Sequence, residues 1–162
     1  MTDVIIRDAE EKDAEHIRRL LRQVLEVHAS VRPDIFIPGT AKYTVNEVKA
    51  LIKDAGRRSY VADCDGDVLG YALCVIKEPE DRANTVPSKT LYIDDLCVDE
   101  AVRERHIGAR LFEHVKAEAK RLGCRYVTLN VWEGNGAARA FYDKMGLKPR
   151  LTQMELKIDE TV

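Results

Sequence analysis

The stretch that most restricts what this chain can fold into is a strand running through a basic turn into a helix. Tyr92-Ile93-Asp94-Asp95-Leu96-Cys97-Val98 closes a β-prone run over 90–98. After a few residues Arg103-Glu104-Arg105-His106-Ile107-Gly108-Ala109-Arg110-Leu111 opens a helix. Ile107, Leu111, Val115, Ala119 and Leu122 recur on one face of that helix, and Gly123 can end it. Unsatisfied N–H groups at a helix start, with the positive end of its dipole, make an anion site. Gly108 lets the backbone approach a ligand closely. Arg103, Arg105 and Arg110 offer charge to a diphosphate or a ribose 3′-phosphate. Taken alone, the turn reads equally well as a helix start with a glycine and solvated arginines.

The other elements follow from periodicity and punctuation. A strand is expected over 4–7, then a helix over 11–28 with Ile17, Leu20, Leu21, Val24 and Leu25 on one face and Asp8 and Glu11 as capping carboxylates. Pro33 breaks the chain into a loop, and a second helix is expected over 45–55. Runs over 58–64 and 68–76 form a hairpin joined at Asp65-Gly66, a dipeptide suited to a type I′ turn. A strand over 125–131, a helix from Asn135 to Met145 closed by Gly146, and a terminal strand over 151–158 complete the order β-α-α-β-β-β-α-β-α-β. At 162 residues the chain has room for one domain, taken as 1–162.

Composition narrows the function classes. The net charge of −2 gives no basic footprint for nucleic acid or an anionic membrane. No apolar run approaches the roughly 20 residues of a membrane span. The N-terminus lacks the pattern of a signal peptide, so a cytoplasmic location is expected. Cys64, Cys74, Cys97 and Cys124 are too scattered for a metal or redox motif, and no metal is expected.

Downstream, Leu129-Asn130-Val131 leads to Asn135-x-x-Ala138-x-x-Phe141-Tyr142-x-x-x-Gly146. With Arg103-x-x-His106-x-Gly108, this resembles the GNAT superfamily of acetyl-CoA-dependent N-acetyltransferases. The likeness covers nearly the whole chain and is strongest over 91–146. It implies an α/β (α+β) fold: a mixed, mostly antiparallel sheet of six to seven strands, flanked by about four helices, with strands four and five splayed. His106 departs from the pattern by standing where the family usually has its first glycine. Its ring either turns to solvent or adds a donor to a phosphate when protonated.

The resemblance also implies chemistry. Acetyl transfer to an amine needs a neutral nucleophile, a donor for the carbonyl oxygen, a proton for the leaving thiolate and positioning of both reactants. Acetyl-CoA would lie along Leu96, Cys97 and Val98, with its phosphates on Arg103, Arg105, His106, Ile107, Gly108, Ala109 and Arg110. Asn135 and Ala138 would hold the pantetheine arm, and Tyr142 would protonate the thiolate. Asp94 and Asp95 are the candidates for the base. Neighbouring strand residues face opposite sides, so both serve one site only if the strand bulges there. The acceptor is expected to touch Asp34, Phe36, Tyr43 and Trp132, residues that could equally pack two helices together.

The expected activity is acetylation of a primary amine on a small, cationic molecule by direct attack in a ternary complex. A protein or peptide acceptor is the near alternative, and a non-catalytic CoA sensor or scaffold is the alternative of another class. Partners are thus a small-molecule amine or a peptide, with no nucleic acid or membrane, and a homodimer left open. A phosphate-loop nucleotide enzyme is excluded because no Gly-Lys-Ser/Thr follows the turn.

Overall fold

The computed structural model describes residues 3–159, with 103–105 described by backbone alone. Its sheet contains β1 (Ile5–Asp8), β2 (Arg57–Cys64), β3 (Asp67–Lys77), β4 (Thr90–Val98) and β5 (Tyr126–Leu129), in that spatial order. The first three pairings are antiparallel and β4–β5 is parallel. The hairpin forms as expected: Asp65 and Gly66 have φ of 52° and 89°, the positive values a type I′ turn demands.

Among the described residues four α-helices cover the sheet: α1 (Ala14–Val31), α2 (Val45–Lys53), α3 (Ile107–Arg121) and α4 (Gly136–Lys144). Short 3-10 turns at Glu11–Asp13 and Glu100–Arg105 lead into α1 and α3. On one face, Ile17, Leu20 and Leu21 of α1 and Val48 of α2 pack on Val61, Tyr71, Leu73 and Cys97. On the other, Ile107, Leu111 and Val115 of α3 pack on Tyr60, Ala72, Cys74, Leu91 and Ile93.

Three local departures have simple causes. α1 reaches Val31, three residues beyond the expected end, because the chain stays helical until the residue before Pro33. Asp8 ends β1, and it is Asp13 that accepts from the Glu10 N–H at 2.7 Å. The third concerns the strand count. The described residues contain five strands, short of six to seven, because 151–158 forms no ladder. β-prone residues make a strand only where they dock in register on a sheet edge, and this segment pairs with neither of the outer strands, β1 and β5. Every residue of that segment is exposed.

Candidate active site

The site begins where the sheet splits. β4 and β5 pair from Thr90/Tyr126 to Ile93/Leu129, and β4 then continues through 94–98 with β3 but without β5. The Asp99 N–H donates to Leu69 O at 2.8 Å, so odd-numbered residues of this stretch bond back to β3. By alternation, the N–H and C=O of Leu96 and Val98 point into the split. Leu96 and Val98 pack towards α3 and α4, while Cys97 is buried on the α1 face, its thiol donating to Leu20 O at 3.7 Å.

A bulge fixes the two aspartates. Leu73 pairs with Asp95 but Cys74 pairs with Ile93, so Asp94 is the extra residue in β4. The insertion flips the phase of the strand: Leu91 and Ile93 face α3, whereas Cys97 faces α1. Both carboxylates consequently lie on the α1/α2 side. Asp94 accepts from Tyr43 Oη at 2.7 Å and Lys42 Nζ at 2.9 Å, with Arg57 at 4.0 Å. Burial raises its pKa, but these partners outweigh that and hold it below the usual value. Asp95 is different. Some of the residue remains accessible, yet desolvation of its carboxyl pushes its pKa up to about 6 against the pull of Lys42. The buried Tyr71 hydroxyl beside it has no hydrogen-bond partner of good geometry among the described residues.

On the α3 side of the sheet packs Tyr142 of α4, edge-on to Phe141 (5.0 Å) and Phe112 (6.5 Å). Burial raises its pKa well above 10, with Asp95 the leading charge acting on it, so the phenol stays protonated. Asn135 caps α4, its Oδ1 accepting from the Ala138 N–H at 3.3 Å. Gly146 closes that helix with φ of 96°.

At the start of α3, His106 adopts the left-handed conformation (φ 58°, ψ 24°) and its side chain does not cap the helix. That backbone explains why a glycine suits this position: an L-residue there costs about 1 kcal/mol. The ring is exposed. The first turn of Ile107, Gly108, Ala109 and Arg110 holds no acidic side chain. A Cβ on Gly108 would lie 3.3 Å from Phe141, so this glycine also lets α4 approach α3. Arg103 and Arg105 carry side chains outside the described residues. A shallow groove of about 640 Å³ between β1 and α3 touches His106 and Arg110 from their outer side; it reaches neither aspartate nor Tyr142.

The acceptor-side residues divide into two groups. Tyr43 bonds Asp94 directly. Asp34 instead is clamped by Arg32 through bonds of 2.9 and 2.8 Å. Phe36 packs edge-on against Trp132 at 5.4 Å, with the Arg32 guanidinium 5.7 Å from the Trp132 ring. These contacts tie the loop after α1 to the segment after β5. Lys42 and Arg57 are site residues that sequence reasoning missed. Lys42 lies 52 positions from Asp94, and only the bulge brings them together.

A sheet that parts after its fourth strand, with an uncapped start to α3 and a tyrosine-bearing α4 packed beside it, fits a GNAT-type acyltransferase scaffold. Residues 18–147 match the model of the Acetyltransferase (GNAT) family. The chain belongs to that family. Mutants of the BH1408 protein of Bacillus halodurans share the fold. One has a TM-score of 0.91 and 30% identity, covering 95% of this chain and 99% of that one. An uncharacterised N-acetyltransferase of Lactobacillus delbrueckii subsp. lactis is 28% identical over 64% of this chain. The tRNA(Met) cytidine acetyltransferase TmcA of Aeropyrum pernix is 26% identical over 68% of it. The chain spans 60% and 18% of the lengths of these two curated relatives. The aminoglycoside N-acetyltransferase AAC(6')-Iy in complex with CoA overlays with a TM-score of 0.71, covering 97% of this chain and 95% of that one. At 16% identity this likeness concerns the fold alone.

Proposed function

We propose that residues 1–162 act as one cytoplasmic catalytic domain that transfers the acetyl group of acetyl-CoA to a primary amine of a small molecule by direct attack. The observation that carries this reading is the bulge at Asp94, which gathers both carboxylates on one face at the mouth of the split. Tyr142 packs on the α3 side of the same sheet, with Asp95 the leading charge acting on it.

The residues fit acetyl-CoA. The backbone of Leu96 and Val98 offers an open edge for an amide-bearing arm, as an added strand would use it. Asn135 has its Oδ1 committed to the cap, which leaves Nδ2 to donate to that arm. The uncapped first turn of α3, with Arg110, suits a diphosphate. When bound, acetyl-CoA supplies an activated acyl group as a thioester. Asp95, its pKa raised to about 6, takes the proton of the acceptor amine, directly or through water. Asp94 attracts and orients the ammonium group while Lys42 and Tyr43 keep it ionised. Tyr142 keeps its proton at neutral pH and delivers it to the departing sulfur.

The acceptor side is not simply acidic. Asp34 and Asp94 are already met by Arg32 and Lys42, so an amine of single positive charge fits it better than a polycation. Phe36 and Trp132 supply an apolar wall. The test is thiol release from acetyl-CoA across amino acids, polyamines, aminoglycosides and short peptides. The expected result is turnover on a small primary amine that falls sharply in D95N. Turnover confined to peptides, or none with any amine, refutes the reading.

A further inference from the structure

Among the described residues only two buried side-chain nitrogens or oxygens lack a hydrogen-bond partner, and both stand at the aspartate pair. One is Arg57 Nη1, 4.0 Å from Asp94. The other is Tyr71 Oη, in a side chain with no exposed surface. A buried hydroxyl left unpaired is costly, and phenylalanine would fill the same space without that cost. The other wholly buried tyrosine, Tyr60, escapes it by donating to Glu118 at 3.4 Å. The oxygen of Tyr71 therefore calls for a purpose.

The register supplies one. Tyr71 pairs with Cys97, and two positions along β3 Leu73 pairs with Asp95. Tyr71, Leu73 and Cys97 all face α1, and the extra residue at Asp94 turns Asp95 to the same side. Tyr71 and Asp95 are thus diagonal neighbours on adjacent strands, within reach of a long aromatic side chain. The Asp95 carboxyl acts on the phenol both as a charge and as a hydrogen-bonding group. Lys42 and Asp94 act on Asp95 in opposite directions, and Cys97 lies beside Tyr71. From α1 and α2 come apolar side chains, among them Ile17, Leu20, Leu21 and Val48, while Tyr142 senses Asp95 from the α3 side.

We propose that Tyr71 is a positioning residue for the base: its hydroxyl donates to the ionised Asp95 carboxylate and holds one oxygen, leaving the other for the acceptor's proton. This role rests on the reading of Asp95 as base. A protonated carboxyl carries a donor of its own, whereas an ionised one only accepts. The phenol's proton is therefore best used once Asp95 has lost its own, and a bond to a charged acceptor is about twice as strong as a neutral one. Tyr71 thus favours the ionised base against the burial that opposes it.

Carboxyl carbon NMR on the full chain without acetyl-CoA follows Asp95 directly, its resonance assigned by loss in D95N. In Y71F the midpoint should rise from about 6 by about one to two pH units. The acid limb of kcat/KM should move with it, making Y71F about tenfold or more slower than wild type at pH 5.5 but within about twofold at pH 9. A merely structural defect would lower the rate equally at both and leave the midpoint in place. Y60F, the same change at the other buried tyrosine, should not move the midpoint. In wild type the Tyr71 Cζ resonance should step at the Asp95 midpoint, and that step should vanish in D95N; this readout does not require Y71F to fold. An Asp95 midpoint unmoved by Y71F, or a Tyr71 resonance with no step there, overturns the proposal. Absence of turnover on every amine refutes the acetyl-transfer reading instead, so the two failures are read separately.

Discussion

Replacing Asp95 by Asn should trade activity for stability, and the trade should depend on pH. In the folded protein the Asp95 pKa rises from 3.8 to about 6, chiefly through burial. The folded state therefore holds this proton up to about pH 6, while the unfolded chain gives it up near 4. Stability must fall as pH rises between those values and stay flat above them. A shift of about two units corresponds to about 3 kcal/mol. D95N removes the buried charge, so at pH 8 the variant should be more stable than wild type by up to about 3 kcal/mol. Below about pH 4 the two should coincide, because wild-type Asp95 is then neutral. Over the same range kcat/KM should lose about 10²-fold or more, the usual contribution of a positioned base. Its rising acid limb near pH 6 should also disappear. Urea titrations at pH 4.5 and pH 8, with rates on the best acceptor amine, measure both halves. A stability difference that does not vary with pH refutes the burial argument, and full activity in D95N refutes the role of base.

Three further outcomes follow from separate parts of the structure. Y142F should lower kcat about 10²-fold while leaving acetyl-CoA affinity within about twofold, because only the proton for the leaving sulfur is lost; isothermal titration with single-turnover rates checks the split. G70A should destabilise the protein by about 2 kcal/mol or more in denaturant titrations, since its Cβ would lie 2.9 Å from the backbone oxygen of Cys97 and 3.1 Å from Leu111. R7L should cost about 3 kcal/mol by stranding Asp13, which is 3% exposed and bound to Arg7 at 2.8 and 2.9 Å. Burial alone would raise the Asp13 pKa, but Arg7 and the Glu10 N–H lower it. The wild type should therefore lose this contribution as pH falls through the depressed pKa, and R7L should lack that step in its acid-denaturation curve.

Much of the scaffold was legible in the sequence, for reasons specific to each element. The apolar spacing of Ile107, Leu111 and Val115 encodes α3 directly, and all three are fully buried. Asp65-Gly66 encodes the hairpin because few dipeptides tolerate two positive φ values in succession. The terminal strand was misread because β-propensity says nothing about whether a segment docks on a sheet edge. Met154, Leu156 and Ile158 carry the right alternation with no strand beside them in their own chain. At the site, Asp94, Asp95 and Tyr142 could be named from motif position. The difference between the surroundings of the two aspartates could not. It depends on a one-residue bulge and on Lys42, Tyr43 and Arg57 arriving from elements 37 to 52 positions away. Asp34 looked available to a ligand by type, and only the fork of Arg32 shows it already engaged.

The central claim is that the split in the sheet is a working acetyl-transfer site. Its most direct test incubates the full chain with acetyl-CoA and each member of a primary-amine panel, following free thiol by absorbance and the amine by mass spectrometry. The account predicts thiol release matched one for one by the acetylated amine, with D95N and Y142F both strongly impaired. Tight binding of acetyl-CoA with no acetylated product from any amine would contradict it and leave the non-catalytic CoA-binding alternative standing.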